Sequence, residues 1–240
     1  MKKIKFLIKK IPILSSFCKF LINHYLGYKL KNKKANQLFT EIYKKNSWNG
    51  KDSVSGRGSD INQTITITKE LPLIFKDLFI KTILDIPCGD FHWMRNVDLL
   101  DINYIGADIV VEITEKNSKQ YGNDKFKFQT LDLSKDILPK VDLIFCRDCL
   151  VHLSFDEVFS SLKNICRSNS KYLLTTTFTK RFSNRNIITG QWRRLNLNSA
   201  PFNLPVPLKI INEKCTEANG SYKDKSLGLW KISDVVKSLP

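Results

Sequence analysis

"ILDIPCGDFHWM", residues 83–94, runs from an apolar stretch directly into Pro-Cys-Gly-Asp and then an aromatic pair. A short apolar run without polar alternation suits a parallel strand buried on both faces. Asp85 closes the run, Pro87 removes a ladder donor, and Gly89 allows a turn with no Cβ in the way of a ligand. In an open α/β sheet, ligands bind beyond the carboxyl ends of the strands, so this turn predicts a site as well as a strand.

Outward from it, strand and helix signals alternate. Strands are expected at "TILDI" (82–86), "NYIGADIV" (103–110), "FKFQTLDL" (126–133), "VDLIFCRD" (141–148), "KYLLTTTF" (171–178) and "KSLGLWKIS" (225–233). Helices are expected at 65–79 and 154–169. Repeated strand–helix–strand units with right-handed crossovers predict a doubly wound α/β sheet. Two acids fall at strand ends: Asp108, placed to accept hydrogen bonds from a ribose, and Asp132.

The identity of the ligand follows from one residue. A dinucleotide needs bare backbone under its pyrophosphate, as in G-x-G-x-x-G. Here Asp90 follows Gly89, and a carboxylate there repels phosphate while tolerating an amino group and a sulfonium. That disfavours NAD and favours S-adenosylmethionine (SAM).

On "LDIPCGD", Asp108 and Asp132, in that order over about residues 70–178, the chain resembles the class I SAM-dependent methyltransferases. "SVSGRGSDINQT", "YIGADIV" and "FCRDCLVHLS" narrow the likeness to a bacterial subgroup associated with cell-surface polysaccharide synthesis. The resemblance implies a Rossmann-like sheet of about seven strands, mostly parallel with the last antiparallel, and helices on both faces. It implies that Asp85, Pro87, Cys88, Gly89, Asp108, Ile109, Asp132, Leu133 and Arg147 hold SAM. Ser55 and Gly56 are expected to fold over it, although a plain loop leading into a helix would also account for them. Asp90 departs from the subgroup's wider family, where a second glycine is common.

Methyl transfer to an alcohol needs a proton acceptor. Of three histidines, His152 is the expected general base, with Asp148 orienting it or holding a substrate hydroxyl; a helix-capping role for His152 is the plainer alternative, and His92 the weaker base. Arg57, Trp93, Arg181, Trp192 and Arg193 are the expected acceptor contacts. Lys180, Arg181, Arg185, Arg193 and Arg194 fall in one loop and suggest an anionic acceptor, unless they form a solvated face. The acceptor class is then a sugar or a phosphorylated or nucleotide-linked sugar.

Residues 1–40 carry ten lysines and no acid, which accounts for +10 of the +16 net charge. Residues 1–47 therefore read as a basic amphipathic helical arm, for an anionic membrane surface or for packing on the body. Residues 48–240 form the expected methyltransferase domain, with 170–225 as a substrate-side insertion or lid. Nucleic acid is disfavoured as a partner, because lysine alone brings no base readout; an RNA methyltransferase and a non-catalytic SAM-binding protein remain the alternatives. Six thinly spread cysteines suit the cytoplasm, and the Cys146–Cys149 pair lacks the second pair that a metal site needs.

Overall fold

A computed structural model of the chain describes residues 33–240. Most of the basic arm, with His24 and Cys18, lies outside the described residues. The described chain forms a seven-stranded sheet in the order β3-β2-β1-β4-β5-β7-β6. Its strands are β1 (Thr82–Asp85), β2 (Asn103–Asp108), β3 (Phe126–Thr130), β4 (Leu143–Cys146), β5 (Tyr172–Phe178), β6 (Lys209–Asn212) and β7 (Lys225–Lys231). β1 to β5 pair in parallel, and β7 runs antiparallel between β5 and β6. The expected seven strands with one antiparallel member are present. β6 was not legible in the sequence: "KIIN" is too short to stand out within a loop rich in Asn and Pro. It and β5 lie inside the 170–225 span, which is therefore part sheet and part loop.

Five helices of seven residues or more accompany the sheet among the described residues, besides a four-residue turn at Glu217–Gly220: α1 (Ala35–Lys44), α2 (Ile61–Asp77), α3 (Val111–Tyr121), α4 (Phe155–Arg167) and α5 (Ile232–Ser238). α4 shows why the chain turns helical locally. The Ser154 hydroxyl accepts from the Glu157 N–H at 3.3 Å, Asp156 and Glu157 sit in the first turn, and Arg167 sits in the last. Val158, Leu162 and Ile165 recur at helical spacing and are fully buried. Each such side chain contributes about 1.5–3 kcal/mol on leaving water. α4 and α5 pack with Leu84, Ile144 and Leu173 on one face of the sheet, and α2 with Ile83, Leu143 and Phe145 on the other. Alternate residues of one strand thus feed two cores, as the sheet's two-residue period requires. The same alignment brings the carboxyl ends of β1, β2 and β4 to one rim.

Candidate functional site

A cavity of about 350 Å³ opens over that rim. The glycine turn forms its floor, and its hydrogen bonding decides what can lie there. Cys88 N–H donates to Ala107 O at 2.8 Å and Phe91 N–H to Cys88 O at 3.4 Å. Gly89 N–H donates to Asp108 Oδ2 at 3.2 Å, and Asp90 N–H to Ser55 Oγ at 3.2 Å. Every N–H from 88 to 91 is satisfied within the protein. At this turn no nest of free donors remains for a phosphate, and the polar side chains beside it are the carboxyls of Asp85 and Asp108. This set of acceptors fits a ligand bearing hydroxyl and amino groups, as an adenosine with an amino-acid tail does.

Gly89 has φ +55°, and its missing Cβ makes room for protein: a Cβ would lie 2.1 Å from Ser55 Oγ. The glycine thus accommodates the serine loop, whereas close approach of a ligand was the sequence-based reason for it. Asn117 on α3 clamps the turn from behind, donating to Gly89 O at 2.7 Å.

Three carboxyls stand around the turn. Asp85, buried, accepts from the Tyr104 hydroxyl at 2.5 Å, and burial pushes its pKa up to about 8. Asp108 Oδ1 accepts from Val110 N–H at 3.0 Å. Burial raises its pKa to about 6 against the pull of these backbone donors. Each Asp108 oxygen has a further lone pair for a ribose hydroxyl. Asp132 is committed locally: Oδ1 accepts from Ser134 N–H (2.9 Å) and Oγ (2.6 Å), and Oδ2 pairs with Lys135 at 3.1 Å. Burial works against these bonds, which prevail and keep its pKa below the usual value. Ile109 and Leu133 add apolar wall beside these acids, and Pro87 and Cys88 line the floor.

Beyond β4 the cavity meets a block of buried charge. Arg147 donates to Glu213 through Nε (3.2 Å) and Nη2 (2.7 Å), with side-chain exposures of 4% and 1%, and Nη2 also reaches Gly58 O at 2.7 Å. Lys225 on β7 pairs with Asp148 at 2.5 Å and with Glu213 at 3.3 Å. Asp148 sits at φ +53°; burial would raise its pKa, but Lys225 and Arg147 bring it to about 2, so it stays ionised. Paired charges of this kind offset their own desolvation and leave little free cation for a ligand. Neither Lys225 nor Glu213 was found from the sequence. The available signal was a lysine opening the largely apolar strand "KSLGLWK".

His152 lies in the short turn Leu150–His152 after β4 and lines the cavity. Its Nδ1 pairs with Gln191 O at 3.1 Å; since a carbonyl only accepts, Nδ1 carries the proton and Nε2 keeps its lone pair. Burial lowers its pKa to about 4, so the ring is neutral near pH 7. Ser154 itself, not His152, caps α4. The Trp48 ring stands 4.9 Å away, and Trp192 and Tyr222, also 4.9 Å apart, form a second aromatic surface on the cavity. Trp93 is a buried part of the wall, with the Arg147 guanidinium 5.3 Å from its ring. Phe39 and Tyr43 of α1 also line the cavity, so residues grouped with the arm by charge belong to the site.

The expected cation cluster does not form. Arg193 is 1% exposed, and its Nη1 donates to the Leu150, Val151 and Leu153 carbonyls at 3.3, 3.3 and 2.6 Å. It braces the His152 turn and does not line this cavity. Arg181 is likewise off the lining, as are Lys180, Arg185 and Arg194; Arg194 lies 5.9 Å from the Tyr222 ring and donates to Ser221 O. His92 does not reach the cavity either. Arg57 does, exposed at the rim, with its Nε donating to Asn49 O. Ser55 and Gly56 line the wall next to it.

No protein-family model matches the chain, and no curated protein matches it. Solved structures do. The 1,6-didemethyltoxoflavin N1-methyltransferase of Burkholderia thailandensis superposes with a TM-score of 0.58 at 13% identity, over 82% of this chain and 86% of that one. The N-methyltransferase NodS of Bradyrhizobium japonicum gives 0.57 at 11% identity, over 79% and 97%. Human N-acetylserotonin methyltransferase gives 0.55 at 14% identity, over 83% and 60%. The chain spans only 50% and 66% of two further chains it matches, the YcgJ protein of Bacillus subtilis and a bacterial CtHen1 methyltransferase domain. The first three likenesses establish a Rossmann-like methyltransferase fold.

Proposed function

We propose that this chain is a SAM-dependent methyltransferase that modifies a small-molecule hydroxyl, with a sugar of a surface-polysaccharide precursor as the acceptor class. The observation that carries the reading is the Gly89–Asp108 hydrogen bond under an open cavity, in a turn with no N–H left for phosphate. The three structures compared above are named as methyltransferases, and one is described in complex with SAM and two with S-adenosylhomocysteine (SAH). When bound, SAM supplies a methyl group activated on a sulfonium.

The chain's residues divide the remaining work. Asp108 accepts hydrogen bonds from the ribose, and Ile109 and Leu133 cover the adenine side. His152 Nε2 takes the acceptor's proton; the imidazole lines the cavity and is neutral near pH 7, so its lone pair is free for that proton. Asp148, held ionised by Lys225, accepts from a second acceptor hydroxyl. The Trp48 ring on one side and Trp192 with Tyr222 on the other offer flat surfaces for a sugar face or a planar ring. Any anionic portion of the acceptor lies at the rim against Arg57, since the inner cations are already paired. We place the reaction in the cytoplasm, where the free cysteines of the described chain stay reduced.

Incubation with labelled SAM and a panel of neutral glycosides, sugar phosphates and nucleotide-sugars, read by mass spectrometry, tests the reading. Methylated sugar is the expected product. SAH binding without transfer to any acceptor would favour a non-catalytic SAM-binding protein, and transfer to RNA in a parallel arm would move the acceptor class.

A further inference from the structure

Asp90 stands where a second glycine would leave a bare turn, and apart from a 3.4 Å bond from the His92 N–H its carboxylate is employed on another part of the chain. Oδ1 accepts from Ser53 Oγ at 2.8 Å and from Ser55 Oγ at 3.3 Å, while Oδ2 accepts from Val54 N–H at 3.0 Å. The Asp90 N–H returns a bond to Ser55 Oγ, and Ser53 Oγ accepts from Ser55 N–H at 3.0 Å. Ser53 is buried by this arrangement. A segment some 35 residues earlier in sequence is thus tied across the glycine turn by one side chain.

The tied segment continues into the walls of the cavity. Gly56, at φ +99°, sits so close to Trp48 that a Cβ would lie 3.0 Å from the Trp48 Cβ, and the Trp48 ring stacks on His152. Two residues on, Gly58 O receives Arg147. The strap therefore spans from the glycine turn to the acceptor end, and Asp90 is its anchor on the turn.

We propose that Asp90 is a positioning residue: it fixes the 53–58 strap as the wall against the amino-acid tail of the cofactor, while the nucleoside end rests on Asp108, which makes no bond to the strap. The inference rests on the SAM reading. A preorganised strap removes an ordering cost that binding would otherwise carry, and only the part of the ligand that touches the strap gains from it. An acid at this position thereby replaces direct backbone contact with a built wall.

Two ligands separate the two ends: SAH has the amino-acid tail, and 5′-methylthioadenosine keeps the nucleoside and thioether without it. Calorimetry on the full chain is expected to show both binding the wild type. Asp90→Ala should weaken SAH about tenfold or more and leave methylthioadenosine within about twofold, a split that a general loss of structure would not produce. Ser53→Ala, which removes one tie, should give a smaller loss of the same kind and serves if Asp90→Ala does not fold. Unchanged SAH affinity in these variants, or equal loss of both ligands, overturns the proposal. A wild type that binds neither ligand overturns the SAM reading itself, and this proposal with it.

Discussion

The Trp48 indole and the His152 imidazole stack with centroids 4.9 Å apart and planes tilted by 33°, joining a loop that precedes the sheet to the turn that follows β4. The indole is part of what keeps water from the imidazole, and burial is the main cause of its lowered pKa. Trp48→Ala should therefore raise the His152 pKa from about 4 toward the ordinary value of 6.5. Proton NMR titration of the His152 ring measures this directly, and an unmoved midpoint would remove Trp48 from that role.

His152→Ala is expected to lower turnover by about 100-fold or more while SAH binding by calorimetry persists. Because the ring must be neutral to accept a proton, the wild-type rate should stay level from neutral pH downward and fall only as pH approaches about 4. Full activity in the variant would exclude His152 as the base.

Lys225→Met removes the cation shared by the buried Glu213 and the partly exposed Asp148. Two carboxylates are then left sharing the one Arg147 guanidinium, which should cost up to about 3–5 kcal/mol of stability, seen as a lower denaturant midpoint at unchanged slope. Adding Glu213→Gln should recover part of the loss, since Arg147 then faces Asp148 as its one carboxylate in the cluster. A midpoint that does not move in Lys225→Met would show the cluster to be solvated.

Asp85 makes stability depend on pH in a definite sense. Its folded pKa, about 8, lies above the unfolded value near 3.8, so its contribution is complete below about pH 4 and is lost as pH rises toward 8. The loss reaches at most ~1.4 kcal/mol per pH unit in that window. Asp85→Asn, which keeps an acceptor for Tyr104 but cannot ionise, should gain on the wild type in melting temperature as pH increases from 5 to 8. Parallel curves for the two proteins would contradict the assignment.

Much of this site was legible in the sequence because local pattern encodes it. An uninterrupted apolar run marks a strand buried on both faces, a glycine after it marks a turn, and acids at strand ends fall on one rim whenever the strands are parallel. Gly89, Asp108 and Asp132 could be placed on that basis, and so could α4 from Ser154 and the spacing of its apolar residues. The sequence alone determined the parallel order of elements and the position of the site along the chain.

The partners of charges were a different matter. Arg193 and Arg57 look equally cationic in sequence, yet one is spent on three backbone carbonyls and the other reaches the cavity rim. Lys225 and Glu213 meet Arg147 and Asp148 only because β7 inserts antiparallel between β5 and β6, and Asp90 finds its strap only across the finished turn. Tertiary structure decided these, for a physical reason: a buried charge or hydrogen-bonding group is stable only with a partner, and chain packing, not spacing along the sequence, selects that partner.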